Sequence, residues 1–167
     1  MIAVLGLAVF GAMLVEARRA ARNEAVQRRR GGVEPPDDVY RSMRIMYPAA
    51  FLVMFAEGFW RGAPPPAMWI AGVTIFAAAK FLKWWAIVSL GSSWTFRVIV
   101  VPGLPLVLSG PYRFLRHPNY VAVVGELVGV AIADGARLAA PLALVVFGWL
   151  LWRRVAVENR ALTAAAR

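Results

Sequence analysis

The stretch Met68–Leu90 holds Lys80 and Lys83 as its charged side chains and is otherwise apolar or small. A helix of about 20 such residues crosses the hydrocarbon core of a bilayer. Four further apolar stretches lie near Met1–Val15, Met43–Trp60, Tyr120–Ala133 and Leu138–Trp152. The first of these and the last two are short for a crossing. Their helices are therefore expected to run on into polar flanks such as Ala17–Val26 and Arg153–Ala164. Met1–Val15 has its arginines after the apolar run, with no basic segment before it, and reads as a retained span in place of a signal peptide. The expected fold is an all-α integral membrane protein with about five transmembrane helices. Residues 1–167 form one domain, in which 1–90 is a three-helix scaffold.

Composition supports this. Sixty percent of residues are apolar and mean hydropathy is +0.62, which excludes a water-soluble globule. The net charge of +10 would ordinarily suggest nucleic acid. In a membrane chain, excess arginine instead marks loops on the cytoplasmic side, against anionic lipid. The absence of cysteine excludes disulfides, thiol ligands and thiol nucleophiles, and a single histidine excludes a multi-histidine metal centre.

Charge also orients the spans. With the N-terminus outside, only Arg61 and Arg137 of the 19 Lys and Arg residues fall outside. They sit in the short connections Arg61–Ala67 and Asp134–Arg137. There Pro64-Pro65-Pro66 cannot continue a helix, and Asp134-Gly135 suits a tight helical hairpin. The C-terminus is then cytoplasmic, and the long inner loops carry the unusual residues. Lys80 and Lys83 are expected to snorkel inward past Trp84 and Trp85 as anchors.

Segment Gly91–Tyr120 cannot form a long helix, because Gly91, Pro102, Gly103, Pro105, Gly110, Pro111 and Pro118 interrupt it. Yet Trp94, Phe96, Val98–Val101, Leu104 and Leu106–Leu108 make it too apolar to lie free in water. It reads as a lid over a pocket; the alternative is a re-entrant loop that seals the helix ends. At its end, Arg113-Phe114-Leu115-Arg116-His117-Pro118-Asn119-Tyr120 brings polar groups to the mouth of the fourth span, with Pro118 suited to a first helical turn. Free N–H groups there and the Arg116 guanidinium suit an anionic group such as a carboxylate or phosphate. Arg113 and Arg116 would serve equally well on lipid phosphates.

Arg154 and Glu158 lie one turn apart where the fifth span ends, with Asn159 and Arg160 following. Alone they read as an i,i+4 ion pair on a solvated helix. Spans four and five form a hairpin, however, so both polar clusters emerge at one face. Glu126 shares a helical face with Asn119, and an intramembrane carboxylate is a functional candidate; a protonated, backbone-bonded carboxyl is the alternative. Glu57, near the outer end of span two, is a weaker candidate. No GxGxxG, P-loop or HExxH motif is present, so a nucleotide-like cofactor would bind outside a Rossmann fold.

From about Leu90 to Leu162 the chain resembles the isoprenylcysteine carboxyl methyltransferase family. The resemblance rests on Leu90-Gly91 with Trp94-Thr95, on Ser109-Gly110-Pro111-Tyr112-Arg113, and on Arg116-His117-Pro118-Asn119-Tyr120. The tail Arg154-Val155-Ala156-Val157-Glu158-Asn159-Arg160-Ala161-Leu162 is similar to the family's Arg-Ile-x-x-Glu-Glu-x-x-Leu, with Asn159 in place of the second glutamate. Trp94–Gly103 looks most like a bacterial branch found beside type III polyketide synthases, whose members O-methylate long-chain alkylpyrones or alkylresorcinols.

The resemblance implies S-adenosylmethionine, held at the cytosolic face by the 91–120 loop and the last two helices, with 91–167 as the catalytic half. Its implied cofactor contacts are Tyr112, Arg116, His117, Pro118, Asn119, Tyr120 and Glu158. Arg116 and His117 would take the methionine carboxylate and Glu158 the ammonium. Arg154, Glu158 and His117 are the implied catalytic residues, and Trp94, Glu126 and Arg154 the implied acceptor contacts. No metal is expected. The implied partners are a lipophilic or lipidated acceptor and membrane lipids, not nucleic acid. Two other readings are an NADPH-dependent membrane reductase of sterol or steroid type, which shares an HPNY-like string, and a non-catalytic membrane adaptor.

Overall fold

Five helices and two short 3-10 turns account for the regular structure in the computed structural model, which describes residues 1–165. Helix α1 spans Ile2–Arg29, α2 Tyr40–Arg61, α3 Pro66–Leu90, α4 Pro118–Asp134 and α5 Ala139–Ala165. The 3-10 turns Gly91–Ser93 and Gly110–Arg113 lie within the long connection between α3 and α4. Of the three short apolar stretches, the first and the last run on into their polar flanks, whereas the fourth does not: α4 stops at 17 residues, between Pro118 and Asp134. Helix α1 continues well past Val15, burying Glu16, Ala20 and Gln27 on one side of its polar half.

Local chemistry sets the boundaries. Helix α3 begins on Pro66, whose missing N–H costs nothing in a first turn. Helix α4 likewise begins on Pro118. It ends on Gly135 at φ 69°, where Ala136 N–H donates to Ala131 C=O and Gly135 N–H to Ile132 C=O. That Schellman closure needs the left-handed residue that glycine supplies. Glu57 then does what the sequence could not show. Its carboxylate accepts the N–H groups of Arg137, Leu138 and Ala139 at 2.7–3.1 Å and pairs with Arg61 at 2.6 Å, so α2 caps the start of α5.

The α3–α4 contact is the most intimate in the molecule. Gly72, Phe76 and Ala79 of α3 face Gly125, Gly129 and Ala133 of α4, backbone against backbone. Small residues permit this approach, which suits helices without a water-driven hydrophobic force between them. Helix α4 is consequently central, with Ala122, Val123, Leu127 and Val130 all buried. The main core joins Val123, Leu127 and Val130 to Leu5 and Val9 of α1, Phe51 and Met54 of α2, and Phe147 and Leu150 of α5. Apolar side chains elsewhere point outward: Leu7, Phe59, Trp60, Phe81 and Trp152 are all at least 70% exposed.

Two stretches, Pro66–Ser93 and Ala139–Ala164, are each long and apolar enough to cross a bilayer. An exposed apolar girdle of this kind is what lipid, and not water, solvates. The protein is an integral membrane protein.

One expectation is corrected inside the bundle. Lys80 and Lys83 do not snorkel to the interface. Lys80 Nζ lies 2.7 Å from Glu16 and 3.2 Å from Glu126, and Lys83 Nζ lies 2.7 Å from Glu16 and 3.3 Å from Glu126. Tyr47 donates its hydroxyl to Glu126 as well. Two carboxylates and two ammoniums thus neutralise one another between α1, α3 and α4. Without opposite charges at hand, either sign would be forbiddingly costly there.

Candidate active site

A cavity of about 1290 Å³ opens at the end of the bundle where α1 and α5 finish and α2 and α4 begin. Its cover is the 91–108 segment, which folds back over the helices. Asn23 of α1 donates to the carbonyls of Gly91 and Trp94 at 3.0 and 2.7 Å, and Gln27 donates to that of Ser92 at 2.7 Å. Val33 and Val100 form an isolated antiparallel bridge. Arg97 stacks over Tyr40 at 4.5 Å and pairs with Glu34 at 2.6 Å and Glu24 at 3.5 Å. Burial opposes the charge on Glu34, but hydrogen bonds from Arg97 and Arg28 outweigh it and hold this carboxyl below its ordinary value. The segment is therefore pinned at many points, as a lid and not a tether.

Under the lid, the residues singled out in the sequence come together. Trp94, Tyr112, Arg116, His117, Asn119, Tyr120, Arg154 and Glu158 all line the cavity. Tyr120 donates its hydroxyl to Glu158 at 2.6 Å and accepts from Arg154 Nε at 3.1 Å. His117 and Tyr120 stack with ring centroids 5.4 Å apart, and His117 Nδ1 lies 3.8 Å from Glu158. Trp94 Nε1 donates to Asn119 at 3.3 Å, tying the lid to the first turn of α4. Burial, then the Glu158 carboxylate, push the Tyr112 phenol above its ordinary value, so at neutral pH it keeps its proton and is not a base. Arg116 is exposed and has no acidic partner among the described residues.

Three expectations change. Glu126 stands in the buried ion cluster and does not itself line the cavity, although its partners Tyr47 and Lys83 do. Pro118 is buried beneath the wall, where it starts α4. Arg154 is not half of a solvated ion pair. It is 5% exposed and pairs with Asp38 at 2.7 Å, while also donating to the Phe96 carbonyl at 2.5 Å. Sequence reasoning missed Asp38, together with Asn23, Gln27 and Glu34. The one available signal was the position of Asp37-Asp38, acidic residues after Pro35-Pro36 within an arginine-rich stretch.

A family model, that of the isoprenylcysteine carboxyl methyltransferase (ICMT) family, matches residues 71–164. The match covers more than half of the chain, and the protein belongs to this family. It begins within α3, upstream of the Leu90 boundary read from the motifs, and takes in Lys80 and Lys83. The chain is 29% identical over 143 residues to the uncharacterized protein YpbQ of Bacillus subtilis (strain 168), covering 86% of this chain and 85% of that one. An uncharacterized protein of Haemophilus influenzae is 26% identical over 93 residues, 55% of this chain and 54% of that one. Both relatives are bacterial, consistent with the bacterial branch of the family. No solved structure matches.

Proposed function

We propose that the protein is an S-adenosylmethionine-dependent O-methyltransferase acting on a lipophilic acceptor. The observation that supports this most directly is the grouping of His117, Tyr120, Arg154 and Glu158 on one cavity wall beneath an apolar lid, in a member of this family. The cavity exceeds the roughly 300–1,000 Å³ of an ordinary small-molecule site, leaving room for a cofactor and an acceptor together. The residues fit the cofactor's zwitterionic end. Arg116, free of acidic partners among the described residues, and His117 would hold its carboxylate. Glu158, with a side chain 31% exposed, would hold its ammonium. Tyr112, Asn119 and Tyr120 would complete that pocket, and the apolar lid would enclose the base.

When bound, S-adenosylmethionine supplies an electrophilic methyl group on a sulfonium. The protein's share is alignment and the exclusion of water, which can lower the barrier to a charge-neutralising displacement substantially. Trp94 and the lid close the site. Arg154 would orient the acceptor oxygen with the N–H groups it does not spend on the protein. A carboxylate or acidic enol needs no base, whereas a phenol would lose its proton to His117 or Glu158. In this reading the acceptor is a prenylcysteine or a long-chain alkylpyrone or alkylresorcinol, entering from the bilayer. All five helices would span the membrane, with the N-terminus outside and the site at the cytoplasmic face.

Calorimetric titration of the detergent-purified protein with S-adenosylhomocysteine tests this. Binding by the wild type, lost or strongly weakened in His117→Ala, is the expected result. A folded wild-type protein that does not bind would sink the cofactor assignment.

A further inference from the structure

Asp38 lies in the α1–α2 connection, outside the stretch matched by the family model, and does not line the cavity. Its carboxylate is nevertheless fully engaged. Oδ1 accepts from Arg154 at 2.7 Å and from the Tyr40 N–H at 3.1 Å, while Oδ2 accepts from the Val98 N–H at 2.9 Å. Its side chain is 4% exposed and that of Arg154 is 6% exposed. A buried pair of this kind is weak evidence for stability alone, since apolar replacements often serve as well.

The neighbouring charge makes the pairing informative. Arg154 and Glu158 stand one turn apart on α5, a spacing at which oppositely charged side chains readily meet. They do not pair here. Arg154 gives one terminal nitrogen to Asp38, the other to the Phe96 carbonyl, and Nε to the Tyr120 hydroxyl. Tyr120 stands between the two charges and donates its hydroxyl hydrogen bond to Glu158. Glu158 is thereby left with a neutral hydroxyl partner and an opening to the cavity.

We propose that Asp38 is a positioning residue that claims the Arg154 guanidinium, so that Glu158 keeps its negative charge available for a cationic group in the cavity. Under the function proposed above, on which this inference rests, that group is the cofactor's ammonium. By holding the Val98 N–H with its other oxygen, Asp38 places the lid in the same act. If its charge is removed, the buried guanidinium lacks a counter-ion, and Glu158 is the carboxylate one turn away. In surroundings of low dielectric the two are drawn together, and Glu158 is neutralised from within.

The test compares two probes on the full-length protein: S-adenosylhomocysteine, and 5′-methylthioadenosine, which lacks the aminoacyl end. The wild type should favour S-adenosylhomocysteine. Asp38→Asn should cut that preference by about tenfold, the scale of one charge-assisted hydrogen bond, while changing methylthioadenosine affinity little. The double variant Asp38→Asn/Arg154→Gln removes both buried charges and should regain the preference, which a merely structural role for Asp38 would not restore. Should the single variant fail to fold, the double variant decides alone: retained preference supports the proposal and lost preference overturns it. An unchanged preference in folded Asp38→Asn, or a double variant no better than the single, also overturns it. A wild type that binds S-adenosylhomocysteine separates these outcomes from failure of the methyltransferase reading. A wild type that does not bind ends both.

Discussion

Glu126 shows how a single side chain changes meaning with its partners. In the sequence it is an isolated carboxylate in an apolar stretch, and such residues usually mark function. In the folded chain it answers Lys80 and Lys83 across the α3–α4 contact and accepts the Tyr47 hydroxyl. Glu126→Gln removes one of two negative charges from a buried set of four and leaves excess positive charge behind. It is expected to destabilise the protein by about 3–5 kcal/mol, the cost of breaking a buried pair from one side. Thermal unfolding in detergent should show a lowered midpoint with methyl transfer by the folded fraction unchanged; lost methyl transfer at an unchanged midpoint would return Glu126 to the acceptor site. His117, Tyr120 and Glu158 were legible as candidates because polar side chains stand out at the mouth of an apolar helix. Asp38 was not, because nothing in its local sequence names Arg154, 116 positions away, as its partner.

At the scale of elements, helix positions followed closely from hydropathy and from proline and glycine. The expected continuation of the first and last spans into polar flanks holds in α1 and α5. The packing of α3 on α4 was less visible, since the glycines involved look like any others. A Cβ on Gly129 would lie 2.6 Å from the Phe76 nitrogen and 2.9 Å from the Gly72 carbonyl oxygen. Backbone atoms cannot step aside as a flexible side chain can. Gly129→Val should therefore force α3 and α4 apart and strongly reduce recovery of monodisperse protein on size exclusion. Gly148→Val is the control, because a Cβ there meets nothing within 4 Å. Equal behaviour of the two variants would show that close helix approach is not what the glycine supplies. The lid illustrates the same limit. Its apolar, turn-rich composition announced that it must cover something, but the residues that fasten it lie on α1 and the α1–α2 connection.

For the whole molecule, the arginine distribution predicts the N-terminus outside and the cavity mouth facing the cytoplasm. The chain contains no cysteine, so single cysteines report topology without a background. Ala25→Cys, at the cavity end of α1, should react with an impermeant maleimide only after the membrane is opened. Ala63→Cys, in the opposite connection, should react in intact cells. Reversed labelling would invert the orientation, and labelling of both in intact cells would contradict separate sides.

The sequence by itself determined that the chain is helical and belongs in a membrane, where its helices lie, and which two polar clusters to examine. Hydropathy, helix-breaking residues and short motifs are local properties, read within a few turns of chain. The tertiary structure alone decided which charge answers which. It paired Lys80 and Lys83 with Glu16 and Glu126, gave Glu57 to the start of α5, and turned Arg154 from Glu158 to Asp38. Those choices depend on which helix faces come together, and buried charges, costly without a counter-ion, settle on whatever partner the packing brings within reach.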